Sequence, residues 1–272
     1  MTRLRTEDIE HIRHELKTYD QQLLNKTGKT LKGIALHALG LGDSEFEEII
    51  KLNKVCVIPL TCGLGVIDGF CNAVCGIVSH LGFDSFVSQN SDAAGMAEAF
   101  EKKSDILLLA DDNRFIAINV HSKYVSDNSE MTAKGFVAGL DLMAAGIKGK
   151  NVLVLGCGEV GSYTARILVN MGVSVTVSDV DPQLASILQK DVADVLINDN
   201  WRLTPEKYQC IIDATPAVDL IDASLITPET YVAIPGVPCG LNPEARKKLS
   251  NRYLHDPLQI GVATMVIDAC KK

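Results

Sequence analysis

The sequence lacks the features that mark several protein classes. No apolar run is long enough to span a bilayer, and the charged N-terminal segment is unlike a signal peptide. Basic residues are not in excess, because 26 Lys and Arg stand against 34 Asp and Glu, a formal net charge of −8. We therefore expect a cytoplasmic protein that binds neither a membrane nor nucleic acid.

Patterns for metal binding and for disulfides are also missing. The eight cysteines form no CxxC pair, and the six histidines form no HxxxH pair. We interpret most of the cysteines as small buried apolar residues, and we predict no metal site. A catalytic thiol at Cys62 is disfavoured, since no histidine lies near it in the sequence.

What the sequence does contain is a strand–turn–helix–strand pattern from Lys150 to Asp179. The apolar run Asn151–Leu155 leads into a GxGxxG turn, and apolar residues at helical spacing follow it. The first glycine of such a turn permits the bend, the second lets a pyrophosphate approach the backbone, and the third lets the helix pack on the sheet. The helix N-terminus also attracts phosphates. We predict that the following residues bind a dinucleotide: Gly156, Gly158, Glu159, Val160 and Gly161.

Asp179 follows this turn at about the interval expected of a ribose-binding acid. A carboxylate there accepts hydrogen bonds from both ribose hydroxyls and repels a 2′-phosphate. The next residues, Val180-Asp181-Pro182, bring no Arg or Lys. The sequence therefore favours NAD over NADP.

Two later loops close strands of the same unit. Loops at these strand ends normally border the nicotinamide ribose and ring. We therefore expect cofactor contacts from Thr215, Pro216, Pro235 and Gly236. For Thr215 the alternative is a purely structural role in the turn.

The first half of the chain is itself α/β, with strand ends at Thr61, Ser88 and Asp111 that would border a cleft. A carboxylate at Asp111 would attract an amine or accept its proton, unless it serves only a solvated turn or a helix cap. We predict an α/β fold with two domains. Residues 1–129 form a smaller α/β substrate-binding domain with leading helices, and residues 130–272 form an NAD-binding Rossmann fold.

Taken together, these motifs resemble the pyrroline-ring-forming dehydrogenases of pyrrolysine biosynthesis, over nearly the whole chain. The specific stretches are Gly82-Phe83-Asp84-Ser85-Phe86 and Ala110-Asp111-Asp112-Asn113, whereas the glycine turn alone would fit many families. The sequence departs from the family pattern at Cys62, where Ser is expected, and at Leu64 and Asp68.

The resemblance implies a homodimeric, NAD-dependent enzyme of two domains. Its substrate would be an isopeptide of 3-methyl-D-ornithine and the ε-amine of L-lysine. Oxidation at the carbon that bears the side-chain amine would be followed by closure of the pyrroline ring, with loss of ammonia and water. Substrate contacts would fall on Leu4, Thr61, Phe70 and Asp111. Asp111 would hold the amine and take its proton, and the N-terminal helix would cover the cleft.

Two other functions remain open from the sequence. The chain could be an NAD-dependent dehydrogenase of another amino acid or hydroxy acid, which a panel of substrates would distinguish. It could also be a non-catalytic module that binds NAD, which would show no turnover with any amine.

Overall fold

The structure is a computed structural model that describes residues 4–271 of the chain. Its helices are α1 (Thr6–Ile9), α2 (Ile12–Thr27), α3 (Leu31–Leu39), α4 (Asp43–Leu52), α5 (Phe70–His80), α6 (Asp92–Glu101), α7 (Asn128–Met143), α8 (Glu159–Asn170), α9 (Pro182–Asp191), α10 (Pro243–Leu249) and α11 (Gln259–Ala269). Its strands are β1 (Lys54–Ile58), β2 (Asp84–Val87), β3 (Ile106–Ala110), β4 (Phe115–Asn119), β5 (Val125–Asp127), β6 (Asn151–Leu155), β7 (Ser174–Ser178), β8 (Val195–Ile197), β9 (Cys210–Asp213), β10 (Tyr231–Ile234) and β11 (Tyr253–His255).

The strands form two sheets, one in each half of the chain. The first has the order β2-β1-β3-β4-β5, in which β4 and β5 run antiparallel to their neighbours. The second is entirely parallel and has the order β11-β10-β9-β6-β7-β8, so the strand order reverses between β6 and β9. In a doubly wound sheet such a reversal leaves a crevice at the carboxyl edge, where ligands bind. The predicted α/β fold class with a Rossmann-type sheet is therefore confirmed.

Strand β5 lies in a segment that the sequence predicts to be a polar loop, His121–Asn128. It has only three residues, too few for a pattern of alternation to show. Its partner is β4, and its hydroxyl groups bind the last helix: Ser126 Oγ and Tyr124 Oη both donate to Asp268 Oδ2, each at 2.8 Å. Burial and the Asp268 carboxylate raise the pKa of Tyr124 to about 12. This polar contact fastens the edge of the first sheet to α11.

The N-terminal helix is shorter than the sequence predicts. It ends after a single turn at Ile9, and the separate helix α2 begins at Ile12. Arg5, rather than the predicted Thr6, occupies the N-cap position. The turn between the two helices allows Ile9 and Ile12 both to be fully buried.

Helices α7 and α11 pack closely between the two sheets. Every residue of α11 is buried, and α7 contacts both α11 and α8. Glycines permit this approach, because a Cβ on Gly135 would overlap Ile260 Cγ2, and one on Gly261 would overlap Thr132 Oγ1. The small residues of α7 thus lie on the surface by which it packs against its neighbours. In residues 4–271 neither these helices nor any other is long and apolar enough to cross a membrane.

This packing predicts opposite effects for two glycine-to-alanine changes. Gly135→Ala should lower the free energy of unfolding by about 1–3 kcal/mol, because the new methyl group overpacks the contact with Ile260. Gly33→Ala, in α3, should raise it by about 0.5–1 kcal/mol, because its Cβ would lie 3.0 Å from Lys29 Cβ, and Lys29 precedes the helix and can shift by the little that this contact needs. Urea denaturation of both variants measures the difference, and equal stabilities would contradict the packing.

Candidate active site

The glycine turn joins β6 to α8 at the carboxyl edge of the second sheet. Gly156 has a φ of 88°, a left-handed conformation that side chains rarely adopt. A Cβ on Gly161 would overlap the carbonyl oxygen of Gly156, so only glycine lets α8 start this close to the turn. Gly158 has open space around its α-carbon and caps α8 without a side chain. The first turn of α8 therefore presents its N–H groups beside open space, a cradle that fits a pyrophosphate.

Asp179 follows β7 and lies against this turn. Its Oδ2 accepts the Cys157 N–H at 2.6 Å, and its Oδ1 accepts the Asp181 N–H at 2.8 Å. Each carboxylate oxygen keeps a further lone pair for a ribose hydroxyl. Val180, the next residue, is fully exposed and adds no positive charge. The position is the one that the sequence predicts for the ribose-binding acid.

A cleft of about 560 Å³ opens beside the glycine turn and extends to the first sheet. Its walls come from both halves of the chain and are mostly apolar. Its lining includes the side chains of Leu4, Phe70, Asp111, Asn128, Thr132 and Glu159. One cavity therefore joins the dinucleotide cradle to the ends of the strands in the first sheet.

The structure brings many of the predicted site residues into the lining of this cleft. They are Leu4, Phe70, Asp111, Gly158, Glu159, Val160, Pro235 and Gly236. The other predicted residues lie outside its lining, namely Thr61, Gly156, Gly161, Asp179, Thr215 and Pro216. Among these, Gly156 and Gly161 shape the glycine turn. Asp179 lies against the same turn, next to β7 rather than in the lining of the cleft.

Asp111 sits in the tight turn that joins β3 to β4. Its Oδ1 accepts the N–H groups of Asn113 and Arg114, both at 2.8 Å, and these bonds hold the pKa of the carboxyl below its usual value. The turn role foreseen as the alternative is therefore present. It does not remove the residue from the site, because Asp111 also lines the cleft. Its neighbour Asp112 lines the cleft too but has a different contact, since Oδ2 accepts the Leu64 N–H at 2.7 Å.

Thr61 is held by a residue far from it in the sequence. Its hydroxyl donates to Asp92 Oδ2 at 2.6 Å, and its N–H donates to Asp92 Oδ1 at 2.8 Å. These bonds lower the pKa of Asp92 and fix the loop after β1 to the start of α6. The predicted substrate contact of Thr61 would need this hydroxyl to have a second partner.

Thr215 shapes the loop after β9. Its hydroxyl donates to Asp213 Oδ1 at 2.7 Å, its N–H donates to the same oxygen at 3.0 Å, and its Oγ1 accepts the Ala217 N–H at 3.3 Å. These contacts match the structural alternative considered from the sequence. The cofactor contact predicted for Thr215 stays a prediction, whereas Ala214 beside it lines the cleft.

Two polar residues of the cleft were missed in the sequence, Asn128 and Thr132. Both lie in the first turns of α7, and Asn128 is only 7% exposed. Its side-chain oxygen Oδ1 is buried without a hydrogen-bond partner in the structure. A Cβ on Gly261 would lie 3.1 Å from this oxygen and would overlap Thr132 Oγ1. The signal was the strand end at Asp127, which a prediction of β5 would have revealed.

The start of α7 also contacts the glycine turn. Ser129 Oγ donates to Glu159 Oε2 at 3.1 Å, and Glu159 is the first residue of α8. This bond links the start of α7, which lines the cleft with Asn128 and Thr132, to the dinucleotide cradle.

Two cysteines border the cleft, and the described residues form no group suited to bind a metal ion. Cys62 is exposed and lines the cleft, and Cys71 lines it with a pKa raised to about 11 by burial. Across residues 4–271, no three His, Cys, Asp or Glu side chains are grouped as ligands of a metal ion would be.

Comparison with known proteins gives matches along the chain. The family model described as "Pyrrolysine biosynthesis protein PylD, N-terminal domain" matches residues 8–126, and "Alanine dehydrogenase/PNT, C-terminal domain" matches residues 126–230. Pyrrolysine synthase from Methanosarcina acetivorans is 32% identical over 98% of each chain. The pyrrolysine synthase of Methanosarcina barkeri is 30% identical over 98% of this chain and 97% of the relative.

Solved structures with a similar fold are more distant in sequence. Quinate dehydrogenase from Corynebacterium glutamicum, in complex with NAD, has a TM-score of 0.53 at 14% identity and covers 80% of this chain and 92% of its own. Shikimate dehydrogenase from Aquifex aeolicus has a TM-score of 0.55 at 15% identity, with coverage of 80% and 91%. At such identities the likeness shows the fold alone. The dehydrogenase-type domain supports a nicotinamide cofactor.

The cradle predicts a variant that loses cofactor binding with little loss of stability. Gly158→Ala places a methyl group in open space at a backbone conformation that alanine adopts, so the melting temperature should fall only by the modest cost of alanine at an N-cap. The methyl group would block the pyrophosphate and weaken dinucleotide binding about tenfold or more. Gly161→Ala is the comparison. Its methyl group would overlap Gly156, so both the melting temperature and the dinucleotide affinity should fall. Calorimetric titration and thermal melts measure the two effects, and native affinity in Gly158→Ala would contradict the cradle.

Proposed function

The chain belongs to the pyrrolysine synthase family, and from this we propose the reaction that its cleft carries out. The proposed reaction is the NAD-dependent oxidation of an isopeptide of 3-methyl-D-ornithine and the ε-amine of L-lysine, followed by closure of the pyrroline ring. The observation that supports it most is a single cleft lined by both the dinucleotide cradle and the Asp111 carboxylate. Such a cleft can hold an amine next to a hydride acceptor.

The cofactor that we propose is NAD. A bound nicotinamide would supply the hydride acceptor for the reaction. The residues that would hold the cofactor are the glycine turn, Asp179 and the loops at Ala214 and Pro235–Gly236. Asp179 favours NAD over NADP, because its carboxylate accepts hydrogen bonds from ribose hydroxyls and repels a 2′-phosphate.

The cleft walls suit a substrate with a long apolar section and amine groups. Phe70 packs edge-on against Phe115, with ring centroids 5.3 Å apart, and Leu4 is partly buried at the same cavity. We propose that these side chains cover the methylene groups of the isopeptide and keep water out. Leu4 precedes α1, and no residue of α1 lines the cleft. We therefore propose that the segment before the N-terminal helix, rather than the helix itself, forms this part of the cover.

Asp111 would hold the amine that is oxidised. The lowered pKa of its carboxyl keeps it ionised at neutral pH, so it can bind an ammonium group. Hydride loss requires the neutral amine, and we propose that Asp111 passes the departing proton to the water at the mouth of the cleft. Asn128 Oδ1, buried and without a partner, would accept a second N–H of the same substrate.

Ring closure needs little from the protein beyond confinement. Loss of a hydride and a proton leaves an electrophilic carbon, and the ornithine α-amine of the same molecule attacks it. Holding the two groups together makes this step fast. Ammonia leaves, and any water consumed by hydrolysis to an aldehyde is returned when the ring closes.

We also propose a homodimer, as the family resemblance implies.

The test is a reduction assay with the purified protein, NAD and the isopeptide. We expect NADH by absorbance and the cyclised product by mass spectrometry. In Asp111→Asn, the amide oxygen can still accept from Asn113 and Arg114, so the turn should survive while the charge is lost. Turnover should fall at least about 100-fold, with NAD affinity nearly unchanged.

Asp112→Asn is the matched control, because its amide can still accept the Leu64 N–H, and it should lose much less activity. Equal losses in the two variants would return Asp111 to a purely structural role. NADH production with another amino acid or hydroxy acid, and none with the isopeptide, would replace the proposed substrate. NAD binding without turnover on any amine would favour the non-catalytic alternative.

Cofactor preference is tested at Asp179. Asp179→Ala should narrow the ratio of NAD to NADP affinity by about tenfold, because the ribose hydroxyls lose their acceptor and the 2′-phosphate loses its repulsion. Asp181→Ala, next to it, removes a cap of α9 but no ribose contact and should leave the ratio unchanged. Fluorescence titration with both cofactors measures the ratio, and tighter NADP binding by the unaltered protein would disprove the preference.

A further inference from the structure

Asp213 is a fully buried acid that the proposed reaction does not use. It is the last residue of β9, and no part of it is exposed to solvent. One oxygen, Oδ1, accepts the two hydrogen bonds from Thr215. The other, Oδ2, is buried without a hydrogen-bond partner in the structure and lies against Gly240, where a Cβ would overlap it.

This acid connects two loops of the cleft. The main-chain oxygen of Asp213 accepts the Gly236 N–H at 3.0 Å, and a Cβ on Gly236 would overlap the carbonyl oxygen of Thr215. The loops after β9 and β10 are therefore in direct backbone contact around Asp213. Together they contribute four residues to the lining of the cleft: Ala214, Pro235, Gly236 and Val237.

Burying a carboxylate between these loops costs free energy, because the charge loses its hydration. Burial raises the pKa of Asp213 to about 6, and the hydrogen bonds from Thr215 offset only part of that effect. A neutral Asn or Ser could accept from Thr215 without burying a charge. Above pH 6 the site thus holds a negative charge whose Oδ2 has no partner. Asp213 itself does not line the cleft, but its neighbour Ala214 and its hydrogen-bond partner Gly236 do. A cation bound in that part of the cleft would therefore stabilise the charge through space, across the low-dielectric loops, without direct contact.

The sheet order says which part of a dinucleotide would come close. Asp179 marks the ribose site beside β7, and the cradle lies at β6. Across the reversal of strand order, the other half of the cofactor extends over β9 and β10, the strands of the Asp213 loops. In that half the nicotinamide ring carries a positive charge when oxidised and none when reduced.

We propose that the buried Asp213 carboxylate distinguishes the two redox forms of the cofactor, stabilising the oxidised form and favouring release of the reduced form. The inference rests on the proposed use of a nicotinamide cofactor and is independent of which amine is oxidised. The charge would assist an enzyme that works in the oxidative direction, because the attraction disappears once the hydride has been transferred.

The experiment compares the affinities for NAD and NADH in three proteins. In the unaltered protein Asp213 favours NAD, and in Asp213→Asn the ratio of NADH to NAD dissociation constants should fall on the order of fivefold. Thr215→Val removes a hydrogen bond that lowers the pKa of the same carboxyl, so the three proteins are compared at a pH well above 6, where the carboxylate of this variant is still ionised. This variant should weaken the binding of NAD and of NADH alike and leave the ratio of their dissociation constants unchanged.

A second measurement needs no variant. At pH 6 the unaltered protein should release protons when NAD binds, up to about half a proton per site, because the ring cation lowers the pKa of Asp213. It should release fewer with NADH. Calorimetry in buffers of different ionisation enthalpy counts these protons.

Other titratable and charged groups also lie near these loops. Cys239 faces Asp213 and has a raised pKa, so it is neutral at this pH, and Arg246 lies beside Cys239. His255 and Asp256 lie at the end of β11, two strands away. Their protons are common to the unaltered protein and Asp213→Asn, so the difference between the two belongs to Asp213.

The outcomes separate this inference from the proposed function. An unchanged affinity ratio in Asp213→Asn, with equal proton release for NAD and NADH, would overturn the inference and leave the proposed function intact. Failure of the unaltered protein to bind either form would instead overturn the proposed cofactor. If Asp213→Asn does not fold, the difference in proton release between NAD and NADH on the unaltered protein still decides, because the two forms differ in the charge of the ring.

Discussion

The close contact of α7 with α11 is the constraint on which the cleft depends. These two helices lie between the sheets, and the glycines Gly135 and Gly261 set how near they come. Because α11 is fastened to β5 through Asp268, and α7 begins beside the glycine turn, the contact fixes the first sheet relative to the second. The cleft is the space left at the carboxyl edges once that relation is set. Its mostly apolar walls are made by chain segments far apart in sequence.

The sequence predicted well those parts of the site that are encoded locally. The glycine turn, α8 and the position of Asp179 follow from adjacent residues, and the structure has them as expected. Contacts between distant residues were out of reach. Thr61 looked available at a strand end, but its hydroxyl meets Asp92, 31 residues on. Asn128 was hidden because β5 is too short to show a period, which left the start of α7 assigned to a loop. The division at residue 129 stays a prediction.

Several polar groups of the site have both a structural and a functional part. Asp111 closes a turn with one oxygen and lines the cleft, and Asp179 holds the glycine turn where it would also meet a ribose. Such double use fixes a side chain before the ligand arrives, so less conformational entropy is lost on binding. The cost is that a simple alanine substitution disturbs geometry and chemistry together. Amide variants that keep the acceptor are the ones that separate them.

The complete burial of α11 also constrains the order in which the chain can fold during synthesis. Residues 259–269 pack against α3, which emerges from the ribosome more than 200 residues earlier. Until they are made, α3, α5 and one face of the first sheet have an apolar surface without its cover. The nascent chain must therefore remain partly exposed for most of its translation, a period in which such surfaces favour aggregation or recruit chaperones. Contacts of this length in sequence also make the final closure a slow step.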